Sequence, residues 1–295
     1  MEDSIRSKLW SACRLAGAVD FRGMLRADGR AAAYYRGAGF HGRVYSFAGG
    51  PQGIDAGLVC SSDIGLVIAL RGTTPVLEDW KNDFQGELVP YPGGGRVHSG
   101  FLSSVRHIEG PLTAKAMELF PAQKPQKLYL TGHSKGGAMA ILLATELSRM
   151  TGSFFPTPSA VTFGAPRAGD RDYAERYPCP LTRFESCRDI VPHLPLTPQE
   201  AACLKLTLSP GGGWLAPFLL GDLCRYAPLG NLVNLCPPQV DIPCDVYNQD
   251  GENLNAFYYI LTRLVLKGQF SQIAEYHTSD YPGIGPLAGS KPAQG

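Results

Sequence analysis

The chain of 295 residues has no run of the about 20 apolar residues that a bilayer-spanning helix needs. The apolar stretch from Gly211 to Leu223 is short and is broken by glycine and proline. There is no surplus of either charge. Lysine and arginine total 27 against 26 acidic residues, a formal net charge of +1, and charged residues make up 18% without forming a basic stripe. That balance argues against nucleic acid or a polyanionic surface as partner. The eight cysteines are dispersed and include no C-x-x-C pair, so no zinc signature is present. An even count permits disulfides without requiring them, and Cys179 with Cys187, or Cys236 with Cys244, are neighbours only in sequence. No secretory leader is visible in the first residues, although export by another route stays open. Met1 to Phe21 opens on Glu2 and Asp3 and scatters Arg6, Lys8, Arg14 and Asp20, and Leu15 to Val19 falls short of the apolar core of about 7–15 residues. These absences predict a cytoplasmic protein with mostly free thiols. No repeat interrupts the chain, no metal or cofactor is expected, and the Gly/Pro-rich tail from Pro282 to Gly295 reads as frayed.

The positive content is a chain long enough for a substantial core, with strand-like and helix-like segments alternating through its middle. Such alternation predicts an α/β protein with a mainly parallel sheet covered on both faces. Within it, Gly132-His133-Ser134-Lys135-Gly136 follows the β-prone run Lys127 to Thr131 and opens the apolar, helix-like segment Ala138 to Leu147. A serine on a sharp strand-to-helix turn projects its hydroxyl at the top of a sheet. The flanking glycines remove Cβ atoms that would clash in that turn. Ser134 is therefore the candidate nucleophile.

A serine of this kind needs a base and an acid, and in folds built on this turn they follow it in the order acid, then histidine. Of six histidines only His193 and His277 lie beyond Ser134. His193 sits in Asp189-Ile190-Val191-Pro192-His193, too close to the best acid to share one short loop with it, and reads as a loop histidine bonded to backbone near the site. His277, in Glu275-Tyr276-His277-Thr278, is the better base. Asp189 follows the strand-like run Leu181 to Ser186 and is stiffened by Pro192 and Pro195, which suits a fixed carboxylate that orients the imidazole. Asp170 reads instead as a helix N-cap. The oxyanion of an acyl-transfer intermediate needs donors. The N–H of Lys135, the residue after the nucleophile, is one. The apolar strand Ile64 to Leu70 runs into Arg71-Gly72-Thr73, which makes Thr73 the other.

Six segments in order resemble the class 3 lipases, relatives of the fungal triacylglycerol lipases. They are Ala69-Leu70-Arg71-Gly72-Thr73, Asp79-Trp80-Lys81-Asn82-Asp83, Val97-His98-Ser99-Gly100-Phe101, Leu130-Thr131-Gly132-His133-Ser134, Thr162 to Gly169, and Asp189-Ile190-Val191-Pro192. The resemblance implies the α/β-hydrolase fold, a central mainly parallel sheet with helices on both faces. It implies a serine carboxyl-ester hydrolase acting on lipids or lipid-like esters. Carried across, Ser134, Asp189 and His277 form the triad, Thr73 and Lys135 the oxyanion hole, and Asp79 helps to hold the oxyanion residue.

The chain departs from that pattern in three places. Lys135 stands where the family carries a smaller or apolar residue; it reads as a solvated side chain, with a cation favouring anionic substrates as the alternative. The lid-like segment, about 75–95, mixes Trp80 and Phe84 with Glu78, Asp79, Lys81, Asp83 and Glu87, which argues against strong interfacial activation. A cap-like insertion, about 196–250, carries Trp214, Leu215, Phe218, Leu219 and Leu220, either over an acyl groove or packed at the sheet edge. Leu254 to Leu266 has apolar residues at helical spacing and reads as a packing face. One domain is expected over 1–295, with an ester or lipid as substrate and transient contact with a lipid surface. An acyltransferase with the same triad, or a silent binding protein on the same fold, would share these residues.

Overall fold

The structure, a computed structural model, describes residues 3–26, 28–72, 87–123, 127–150, 156–208, 225–235, 254–263 and 276–277. Seven strands form the main sheet: β1 (Tyr45–Gly49), β2 (Asp55–Ser62), β3 (Gly65–Leu70), β6 (Leu128–His133), β7 (Ser159–Phe163), β8 (Leu181–Ser186) and β9 (Asn231–Leu235). Their spatial order is β1-β2-β3-β6-β7-β8-β9. The first three are joined antiparallel, and every pair from β3 to β9 is parallel. Two short strands, β4 (Leu88–Pro90) and β5 (Arg96–His98), make a separate hairpin.

Side-chain alternation decides which face each strand residue serves. In β3, Leu66, Ile68 and Leu70 join one core, and Val67 and Ala69 join the other. In β6, Leu128 and Leu130 take the first face and Tyr129 the second. The first face is covered by α3 (Ser99–Gln123) and α4 (Lys135–Met150). The second is covered by α1 (Asp3–Ala16) and α2 (Gly29–Gly37). Helix α4 is buried on nearly all sides from Gly136 to Thr145, as a helix wedged between sheet and neighbour must be. Helix α1 buries Leu9, Ala12, Cys13, Leu15 and Ala16 and leaves Asp3 and Arg14 exposed.

A short helix, α5 (Arg171–Glu175), starts at Asp170, whose side chain accepts the N–H of Tyr173, the N-cap expected from sequence. Helix α6 (Pro198–Leu208) packs on α7 (Leu254–Leu261) through Leu196, Ala201, Leu204, Phe257 and Leu261. The segment 196–250 is not merely a cap, because it supplies β9 to the sheet. The Trp214 run and residues 75–86 of the lid-like segment lie outside the described residues, as does the tail. Cys13, Cys60, Cys179, Cys187 and Cys203 are free thiols. No described helix is long and apolar enough to cross a membrane.

Candidate active site

Strand β6 ends at His133, and α4 begins at Lys135, so Ser134 alone makes the turn. Its φ is 57°, a left-handed conformation that a non-glycine residue holds only when its surroundings impose it. The surroundings are tight. A Cβ on Gly132 would lie 2.1 Å from the backbone of Gly136, and one on Gly136 would lie 2.3 Å from the carbonyl of Leu70. Both glycines are thus required by contact between turn, helix and β3. The N–H of Ser134 donates to Phe163 O on β7 at 3.0 Å, and its carbonyl accepts the N–H of Gly137 at 2.8 Å. The positive helix terminus begins at the next residue, where it favours negative charge.

Asp189 lies in the loop after β8 and is fully buried. Its N–H donates to Ser186 O, and its Oδ1 accepts the N–H of Val191 at 2.9 Å. Its Oδ2 lies 2.7 Å from Nδ1 of His277. Asp189 and His277 are 88 positions apart in the chain, so only the fold brings them together. With Nδ1–H directed at a carboxylate, the other ring nitrogen, Nε2, is the one that handles a proton. His193 is not part of this pair. It ends the helical turn Val191–His193, and its Nδ1 meets a carboxylate, Glu200 Oε1, at 2.6 Å, rather than the backbone partner expected from sequence.

His277 is tied to the serine turn through His133. The His133 ring stacks on that of His277, with centroids 4.5 Å apart, and its Nε2 donates to the carbonyl of His277 at 2.9 Å. Trp10 closes the other side with an edge contact. Burial, then the neighbouring His277, pushes the His133 pKa down to about 3. His133 therefore stays neutral beside the His277 ring.

On the other side of the turn, a Cβ on Gly72 would lie 2.6 Å from His133 O and 3.2 Å from Ser134 Cβ. The chain leaving β3 thus touches the serine turn one residue before Thr73. Thr73 itself and Asp79 lie outside the described residues.

Lys135 is neither solvated nor directed at a substrate. It is buried, and its Nζ sits 3.0 Å from Oδ1 of Asp55, at the start of β2. The second oxygen of Asp55 meets Nδ1 of His107 on α3 at 2.7 Å, and Ser104 also hydrogen-bonds the carboxylate. Burial alone would raise the pKa of Asp55, but the Lys135 charge and these hydrogen bonds outweigh it and hold it below the ordinary value. The acid loop has a comparable anchor. Both Nη atoms of Arg167 donate to Glu200, and Nη1 also reaches the carbonyls of His193 and Pro195. Burial would raise the Glu200 pKa; the Arg167 charge and the His193 bond bring it to about 2.

His133, Asp55 and the Arg167–Glu200 pair were not assigned from sequence. His133 had a signal, since it sits inside the serine pentapeptide. Asp55 had none, because a lone aspartate at a strand start carries no mark of a partner 80 residues away. Among the described residues, no cluster of three or more His, Cys, Asp and Glu side chains could hold a metal ion.

Residues 67–199, which include the serine turn and the acid loop, match the family model described as Lipase (class 3). Residues 67–199 of the chain belong to the class 3 lipase family. Among curated relatives, the chain is 36% identical to the lipase of Rhizomucor miehei over 140 residues, 45% of this chain and 38% of that protein. It is 27% identical to the chloroplastic phospholipase A(1) DAD1 of Arabidopsis thaliana over 195 residues, 58% of this chain and 43% of that one. The matched segments thus span under half the length of these relatives. Among solved structures, the triacylglyceride lipase of Rhizomucor miehei superposes with a TM-score of 0.56 at 20% identity, covering 80% of this chain and 81% of that one. That likeness gives the chain the α/β-hydrolase fold.

Proposed function

We propose that this protein is a serine carboxyl-ester hydrolase that cleaves acyl esters of lipids through an acyl-enzyme on Ser134. The observation that carries the reading is the Asp189–His277 pair, held at 2.7 Å and stacked on the residue that precedes a serine with φ of 57°. Ser134 Oγ attacks the ester carbonyl carbon while His277 Nε2 takes its proton. Asp189 keeps the imidazole in the tautomer with hydrogen on Nδ1 and stabilises the imidazolium. The oxyanion is met by the N–H of Lys135 and by Thr73, with Asp79 supporting Thr73; one such donor is worth about 2.7–4 kcal/mol of barrier. The intermediate collapses as His277 returns the proton to the departing alcohol. Water, activated by the same imidazole, then releases the acid and restores the serine.

The relatives support lipid esters as the substrate class. One is a lipase and another a phospholipase A(1), and a triacylglycerol lipase of 20% identity has a catalytic centre formed by a serine-protease triad. The test is initial rates on p-nitrophenyl esters from acetate to palmitate, for the parent and Ser134→Ala together. The expected result is hydrolysis that falls by about six decades in the variant. Serine-dependent rates that peak at long chains would support a lipase, and a short-chain peak an esterase. A Ser134→Ala protein with the parent's turnover would overturn the reading.

A further inference from the structure

Three of the largest exposed apolar side chains lie together. Phe21 is 62% exposed, Met24 64% and Ile54 52%. Phe21 and Met24 stand on one tight loop, and Gly53, beside Ile54, packs so closely that a Cβ there would lie 2.0 Å from Phe21 O. Their exposure is imposed by a rigid support. Asp20 N donates to Met24 O, Asp20 Oδ1 accepts the N–H groups of Arg22 and Met24, and Arg26 N donates to Ala18 O. Ser46 Oγ donates to Gly23 O at 2.7 Å, which fastens the loop to β1. A soluble surface rarely holds such residues out without use.

The charges around the loop are specific. The guanidinium of Arg22 lies 5.2 Å from the centre of the Phe21 ring, and Arg26 is exposed on the same loop. Of the nearby described acids, Asp20 reaches Arg22 and Arg26 but is occupied by the loop's own N–H groups, and Asp28, two residues beyond Arg26, accepts the N–H of Ala31 as the cap of α2. The loop is also connected to the site. Arg71 donates from Nη1 to Val19 O at 2.6 Å and from Nη2 to Gly53 O at 2.9 Å and to Ile54 O. Its neighbour Gly72 touches the serine turn. One dipeptide therefore joins the apolar knob to the edge of the sheet where Ser134 sits.

We infer that Phe21, Met24 and Ile54, with Arg22 and Arg26, form a preformed knob that docks the protein on an anionic phospholipid surface. Aromatic and thioether side chains enter the headgroup boundary, and arginines pair with lipid phosphates while their stems stay in apolar contact. A net charge of +1 hides this site because the whole-chain average does not register two arginines beside three apolar side chains. The choice of a lipid surface rests on the lipid-ester reading of the active site, but docking is measured without turnover.

The test uses Ser134→Ala protein and sedimentation with vesicles of phosphatidylcholine, with and without phosphatidylglycerol. Binding is expected on the anionic vesicles, weaker on the neutral ones and falling with salt. Phe21→Glu/Met24→Glu should lose about tenfold or more. Arg22→Gln and Arg26→Gln should each lose about fivefold on anionic vesicles only. In the Ser134 background, all of these variants should keep the parent's rate on soluble p-nitrophenyl butyrate and its Tm. Parent-like vesicle binding by Phe21→Glu/Met24→Glu, or no binding of the parent to anionic vesicles, would overturn the proposal. Binding to anionic vesicles without any ester turnover would support docking and overturn the catalytic reading alone.

Discussion

Replacing Lys135 by methionine tests whether the residue after the nucleophile is an anchored structural cation. The side chain of Asp55 is 1% exposed and that of Lys135 is 9% exposed, with 3.0 Å between their charged atoms. Lys135→Met keeps the length of the chain and removes the charge, leaving a buried carboxylate with its hydrogen bonds from His107 and Ser104. Breaking a buried pair from one side costs about 3–5 kcal/mol. The two surviving hydrogen bonds put this case at the lower end, about 3 kcal/mol. For a chain of this size that corresponds to a fall in Tm of about 5 °C. Asp55→Asn/Lys135→Met removes both charges and should recover most of the loss, since the desolvation that the pair offset is then absent.

The pH dependence has a definite sign. Because the pKa of Asp55 is lowered in the folded protein, the pair stabilises at pH above the ordinary carboxylate value, and the gain disappears as pH falls through the folded value. The parent should therefore lose Tm in acid more steeply than the double variant. Thermal denaturation from pH 7 downward, on the parent, both single variants and the double, provides the assay. A Lys135→Met protein with the parent's Tm, or a double variant as unstable as the two singles added, would refute the reasoning.

Other expectations concern the catalytic groups and the acid loop. His277→Ala should be nearly as inactive as Ser134→Ala in steady-state ester hydrolysis while His193→Ala keeps most of its turnover, and the opposite result would exchange their roles. Thr73→Val should lower kcat by about two decades with an unchanged melting curve; an unchanged rate would move the oxyanion donor elsewhere. Glu200→Gln should destabilise by about 3–5 kcal/mol in denaturant titration, because Arg167 is left as a buried cation without its carboxylate. Since the Glu200 pKa is lowered to about 2, its contribution holds above the ordinary glutamate value and is lost only as pH falls toward 2, so a parent that already loses this contribution by protonation of Glu200 near neutrality would contradict the assignment.

Local rules acting over a few residues made much of this protein legible before folding. Leu66 to Leu70 reads as a strand because its side chains are apolar on both faces, and those faces do feed two cores. Gly132, Ser134 and Gly136 announce the turn because only glycine fits where helix and strand backbones touch, and Asp170 announces a cap by its short carboxylate at a helix start. Asp189 and His277 were legible as candidates through chain order, a rule about connectivity that survives without coordinates.

Tertiary structure decided what depends on distance between remote positions. It paired Asp189 with His277 and gave His193 to Glu200, although both histidines have the same chemistry. It buried Lys135 against Asp55, where residue type alone favoured solvent, because the first turn of α4 faces the beginning of β2. It also brought Phe21, Met24 and Ile54 onto one surface, where the Arg71 guanidinium ties together the carbonyls of Val19, Gly53 and Ile54. Propensity and pattern act through neighbours in the chain, whereas ion pairing, desolvation and surface patches act through neighbours in space, and only the folded sheet makes those neighbours.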